Sequence, residues 1–233
     1  MKLLKQFSDS VIGEGNRETS VFKLRSIKMA LVVFLVIGFC KNNIQAQNLN
    51  FETFGAKGGI NTFNITGSNA GNSGALIGFH LGAFAAIKLS QNLSFNPELL
   101  FALNHWDGPN RNNDITIYWN YLDFPLMAKV RLDQVAEGLS VHAGPQIGIL
   151  LSAKNKGTAS DGTKVNNDRS DVVKSTNVSL GLGAGYELPQ GIQFTIRYLI
   201  GMSQVGLDEE GTYLSDAKTR SLQISAAYPI FQK

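Results

Sequence analysis

From Phe54 to Phe231, apolar and polar residues alternate in eight stretches, separated by connections rich in Gly, Asn, Asp and Ser. A period of two sends successive side chains to opposite faces of an extended chain, so each stretch predicts a strand with one apolar and one polar face. The strands are expected over Phe54–Phe63, Leu76–Leu89, Leu93–Leu103, Ile115–Leu132, Leu139–Ala153, Thr176–Leu188, Ile192–Ser203 and Thr219–Phe231. In the second, Ile77, Phe79, Leu81, Ala83, Ala85 and Ile87 oppose Gly78, His80, Gly82, Phe84, Ala86 and Lys88. In the fourth, from Leu122 onward, Leu122, Phe124, Leu126, Ala128 and Val130 oppose Tyr121, Asp123, Pro125, Met127 and Lys129.

The stretches are about 10 to 15 residues long, longer than the roughly 5 or 6 usual in soluble domains and long enough to cross a bilayer at a tilt. The connections are sorted by length. Those after the second, fourth and sixth stretches are short (Ser90–Asn92, Asp133–Gly138, Pro189–Gly191), and the others are long and polar. An even strand count permits closure without a free edge. The pattern therefore predicts an all-β fold, an eight-stranded antiparallel up-and-down transmembrane β-barrel over 54–231, with short turns periplasmic and long loops extracellular. The rival is a soluble lipocalin-like barrel, which has the same period but turns its apolar face inward.

The N-terminus fits export. Lys23, Arg25 and Lys28 precede an apolar run from Met29 to Cys40, and Ala46 stands at a site for cleavage, so 1–46 is expected to be a signal peptide and 47–53 a short N-terminal segment. The run is too short for a transmembrane helix of roughly 20 residues. Phe39 before Cys40 and Lys41 after it do not fit a lipoprotein signal. Cys40 is the only cysteine of the chain, so cleavage leaves no thiol for a disulfide, a thiolate metal site or a nucleophile. The formal charge of +3 also belongs to the leader: its seven Lys/Arg and three Asp/Glu, once removed, leave 14 cationic against 15 anionic residues. No basic patch with interleaved aromatics remains, which argues against nucleic-acid binding.

Three segments carry a resemblance. Phe54–Asn61 (FGAKGGIN), Tyr121–Lys129 (YLDFPLMAK) and Gly144–Lys154 (GPQIGILLSAK) resemble the outer-membrane β-barrel domain family of Bacteroidetes-type bacteria that includes the PorT-like proteins. The resemblance spans about 54–231 and implies an eight-stranded barrel in the bacterial outer membrane. PorT itself is associated with gliding motility and a protein secretion system. Here Phe231 is followed by Gln232 and Lys233, a departure from barrels that end on the aromatic residue used in assembly.

Candidate chemistry is confined to the polar faces, which carry Lys57, Glu98, Asp123, Lys129, Glu187 and Arg197. The lumen of an eight-stranded barrel is just wide enough for side chains to fill. Charges of both signs buried there are expected to pair in a structural network. His80 and His142 fall on the same faces and are expected to be hydrogen-bonded core residues. His105, beside Trp106 and Asp107, is the one candidate general base near a rim, and no serine is fixed beside it in the sequence. The glycines of Gly181–Tyr186 lack the strand-turn-helix setting of a nucleotide loop and are expected to ease crowding within a strand. No catalytic, cofactor-binding or metal-binding residues are expected. The reading is an outer-membrane barrel with a structural or interaction role. Its expected partners are the surrounding lipid and other envelope proteins met through loops 154–175 and 204–218. The alternatives are a small channel or ligand-binding barrel, and a lipid A-modifying barrel enzyme.

Overall fold

The computed structural model describes residues 50–66, 76–107, 114–158, 162–170, 173–204, 206 and 217–232. The expected leader, the side chain of Trp106 and most of loop 204–218 lie outside them. Nine strands follow one another: β1 (Asn50–Thr66), β2 (Leu76–Lys88), β3 (Leu93–Asp107), β4 (Asp114–Arg131), β5 (Leu139–Thr158), β6 (Lys164–Asp168), β7 (Thr176–Glu187), β8 (Gln193–Gly201) and β9 (Lys218–Gln232). Eight of them close a ring in the order β1-β2-β3-β4-β5-β7-β8-β9 and back to β1. Every neighbouring pair is antiparallel. The short turns and both ends of the barrel segment share one rim, where Asn50 pairs with Lys88, Thr53 with Gln232 and Glu187 with Gln193.

β1 and β3 run further than the sequence reading, to Thr66 and Asp107 instead of Phe63 and Leu103, and three larger differences bear on the site. β1 begins at Asn50, inside the segment 47–53 expected to precede the barrel, because Asn50, Phe51 and Thr53 find partners in Lys88, Ile87 and Ala86. β5 continues past Ala153 to Thr158, where Lys154–Thr158 pair with Asp114–Tyr118 of β4. The stretch 154–175, expected to be a polar loop, contains the ninth strand: β6 pairs with Lys154–Thr158 of β5 beyond the point where β7 leaves it at Ile149. Polar composition hid the β5 extension and β6 because they stand above the ring, with neither face in lipid.

Within the ring the two faces separate by chemistry. Leu81, Phe79, Ile77, Leu182, Ile196 and Ile224 are exposed on the outside, whereas Lys57, Glu98, His142 and Arg197 are buried inside. A lipocalin-like inversion is thereby excluded. An apolar belt of this extent calls for lipid rather than water around it. Aromatic side chains gather on the outside at the short-turn rim: Phe51, Phe54, Tyr186, Phe194, Tyr228 and Phe231 are all exposed, the girdle expected at a membrane interface. Phe231 stacks on Phe54 at 5.8 Å, so the last aromatic joins this girdle although two residues follow it.

Small-barrel curvature brings neighbouring strands close to the inward face. At Gly183 a Cβ would run into the carbonyl oxygen of Ile196 and the His142 ring. Only glycine leaves that space to the histidine, which accounts for the Gly-rich run in β7.

Candidate functional site

The lumen changes chemistry from level to level. In the layer nearer the short turns, Glu98 of β3 receives two cations. Lys57 Nζ of β1 donates to its Oε1 at 2.8 Å, and the Arg197 guanidinium of β8 donates to Oε1 at 2.7 Å and Oε2 at 3.0 Å. β3 and β8 stand four places apart in either direction around the ring, so the Glu98–Arg197 pair bridges opposite walls. Arg197 Nε also donates to His142 Nε2 on β5 at 3.2 Å. All four side chains are buried, and the planar guanidinium suits bidentate capture of a carboxylate.

The six charges named from the sequence do not all meet. Lys57, Glu98 and Arg197 form one cluster. Lys129 and Glu187 form a separate, looser pair at 3.5 Å, with Lys129 also donating to Gln193 at 3.3 Å. Asp123 stands apart with a hydrogen bond from Gln146. It lies against Gly148, where a Cβ would come within 2.7 Å of its Oδ1. The space enclosed by Lys57, Glu98, Lys129, His142, Gln193 and Arg197 amounts to about 20 Å³, room for about one water molecule.

A hydrogen-bonded relay crosses the next level. His80 meets Ser225 Oγ at 2.8 Å through Nε2 and Asn61 Oδ1 at 3.3 Å through Nδ1, and Asn61 Nδ2 donates to Asn104 at 2.6 Å. Both lumen histidines are thus hydrogen-bonded to neighbouring side chains. His105 faces outward and stacks on Tyr118 at 5.6 Å.

Above the relay, toward the long loops, the lumen turns apolar. Phe63 and Ile65 of β1, Ile117, Trp119 and Tyr121 of β4 and Ala153 of β5 form a buried cluster, joined by Val173 and Ala217. Trp119 meets Phe63 edge-on at 6.1 Å. The chain after β6 reaches this cluster: Arg169 N donates to Ala153 O at 2.8 Å, Ala153 N donates to Ser170 Oγ at 3.1 Å, and Val173 is buried. Part of the expected loop 154–175 therefore closes the mouth instead of lying free above it.

Sequence reasoning missed this layer, although a signal was present. On β4 the apolar positions are even from Leu122 to Val130, but odd at Ile117, Trp119 and Tyr121. On β1 they are even at Phe54, Ala56 and Ile60, then odd at Phe63 and Ile65. The strand does not change course; the side that is apolar does. The switch marks where lipid stops covering the outside and apolar side chains fill the inside.

A closed antiparallel ring with an apolar exterior, an aromatic girdle and a filled polar interior defines an outer-membrane β-barrel protein. The chain belongs to the outer membrane protein beta-barrel domain family, whose profile matches residues 45–205, and its place is the bacterial outer membrane. Among solved structures it is similar to Ail, the attachment invasion locus protein of Yersinia pestis, at 13% identity, covering 77% of this chain and 99% of that one with a TM-score of 0.46. It is also similar to Neisserial surface protein A, at 14% identity, covering 75% of this chain and 94% of that one with a TM-score of 0.39. No curated protein matches the chain.

Proposed function

We propose that this protein is a non-conducting, non-enzymatic barrel whose filled lumen is structural, and which works as a scaffold or interaction module through its extracellular side. The observation that carries the reading is the Glu98–Arg197 bridge between opposite walls, with Lys57 on the same carboxylate. A channel needs a continuous wet path. Here an ionic layer and an apolar layer lie in series. Lys57, Glu98, Asp123, Lys129, Glu187 and Arg197 act as lumen filling, balanced in sign, rather than as a selectivity ring of one charge. His105 packs against Tyr118, a setting that supports an interfacial role rather than a general base activating a nucleophile.

Short turns face the periplasm and long loops the exterior in barrels of this type. The extracellular end then carries the raised β4–β5–β6 hairpins, the surface available to an envelope partner. One specific form of the reading, supported by the Tyr121–Lys129 and Gly144–Lys154 motifs, is a PorT-like role beside a secretion and gliding machinery.

Planar-bilayer recording tests the plugged lumen. The wild type is expected to give no single-channel steps, as are Trp119→Ala and Arg197→Ala singly, whereas the double variant opens a measurable leak. Steps from the wild type would establish the channel reading instead. Site-specific photo-crosslinkers at Asn166 and Thr158 are expected to trap envelope proteins. Crosslinks confined to lipid would remove the scaffold role.

A further inference from the structure

The six lumen charges balance in sign over the whole barrel but not level by level. Asp123 stands beside Leu100 and Gly148, two residues along β3 from Glu98, and takes its hydrogen bond from Gln146. On the periplasmic side of it, the cavity of about 20 Å³ is lined by Lys57, Lys129 and Arg197 and by one carboxylate, Glu98. Glu187 meets Lys129 at 3.5 Å without lining that space. With Glu187 counted, three cations face two carboxylates, and the level keeps one positive charge in excess. His142 adds no charge, since its Nε2 accepts from Arg197.

Hydrogen bonding is lopsided in the same direction. Glu98 Oε1 already accepts from Lys57 and Arg197, and Oε2 accepts from Arg197. The Lys57 ammonium spends one N–H bond this way and the Arg197 guanidinium three, out of the three and five that these groups carry. Gln193 accepts from Lys129 through Oε1 at 3.3 Å, so its Nε2 is the donor end, and it meets no acceptor among the described residues. The cavity is thus rich in donors and short of acceptors. Buried donors left unmatched are costly, and more so when charged. The remaining walls include the apolar side chains of Phe84 and Met127.

We propose that this cavity is a binding site for a single halide ion, of the size of chloride, held by the Lys57 and Lys129 ammonium groups, the Arg197 guanidinium and the Gln193 amide. The excess charge asks for an anion, and the volume limits which one. A space with room for about one water molecule admits one atom of similar size and excludes phosphate, sulfate and carboxylates. Apolar walls further favour an anion that sheds its hydration readily. Entry is from the periplasmic end, where Gln193 pairs with Glu187 beside the short turn. The Asn61–His80–Ser225 relay and the apolar cluster close the other end. The ion completes the lumen filling and does not pass through, and the site stands whether or not the extracellular side recruits a partner.

The test uses the full chain purified in mild detergent, with bromide standing in for chloride. Crystals grown in bromide are expected to show an anomalous bromine peak between Lys57, Lys129 and Arg197. In solution, the temperature at which the gel band shifts should rise saturably with bromide or chloride. Ionic strength is held constant with gluconate, which is too large for the cavity. K129Q, a change near the periplasmic rim, is expected to weaken the apparent halide affinity about 10-fold or more. A position between the three cations that scatters as water, with no bromine signal, overturns the proposal. So does a shift that gluconate matches, which would be screening alone, or a folded K129Q that responds to halide as the wild type does. If K129Q loses the heat shift, the bromine peak of the wild type decides by its presence or absence.

Discussion

In the periplasmic half of the lumen Glu98 is held by Lys57 and Arg197, whereas in the extracellular half Trp119, Phe63 and Ile117 pack against one another. Both halves fill the same narrow ring, yet they tolerate error differently. Ion pairing away from water is directional, and removing one partner strands the others. Apolar packing is non-directional, and neighbours can partly collapse into a gap. The ionic half lies within the lipid-covered ring. There the Lys57, Glu98 and Arg197 side chains are cut off from bulk water, so they must meet each other. The apolar half lies where the strands leave the membrane and the chain after β6 can fold into the mouth. One barrel thus fills its two ends by unlike means, each suited to what surrounds that end.

The largest expected effect tests the ionic half. Glu98→Ala leaves Lys57 and Arg197 facing each other without a counter-charge, at a cost of about 3–5 kcal/mol. Urea unfolding in micelles, followed by the heat-shifted band, reads it. Little or no loss would mean that the two cations reach water or another acceptor. Next comes Trp119→Ala in the apolar half, with an expected loss of about 3 kcal/mol by the same assay. A loss exceeding that of Glu98→Ala would reverse the ranking and make the apolar layer the main lock.

A smaller effect is expected where the two chemistries depend on backbone space. Gly183→Ala puts a methyl group against the Ile196 carbonyl and the His142 ring, and overpacking of this kind costs about 1–3 kcal/mol. Combined with His142→Ala, part of that loss should return, because the ring no longer competes for the space. Strict additivity would show that the Ile196 carbonyl alone sets the limit. The smallest effect sharpens the edge of the ionic half. Lys129→Gln breaks a 3.5 Å pair with Glu187 near the periplasmic rim, where solvent reaches both groups, so less than about 1 kcal/mol should be lost. A loss near that of Glu98→Ala would place Lys129 within the central cluster.

Much of this molecule was legible from alternation. Ile77 to Ile87 against Gly78 to Lys88 marks β2 without any tertiary information, and the sorting of short and long connections points to a ring with two unlike rims. The polar faces also yielded the charged residues inside. Less legible was who meets whom. Lys57, Glu98 and Arg197 converge, Lys129 and Glu187 pair by themselves, and Asp123 turns to Gln146. The extension of β5 and the strand β6 were read as loop, because their Lys, Asn and Asp side chains match a solvated connection as well as a strand above the membrane.

The sequence by itself determined the eight alternating ring strands, the order in which they follow one another and the contrast between their faces, since each depends only on neighbours along the chain. Tertiary structure decided which face went outward and which distant residues became partners. Glu98 and Arg197, 99 residues apart, touch because ring closure sets β3 opposite β8 and the register brings both side chains to one height. Val173 is buried because the chain after β6 hydrogen-bonds to Ala153 at the mouth. These are consequences of closing a sheet on itself, and no local pattern encodes the distance across the space that closure creates.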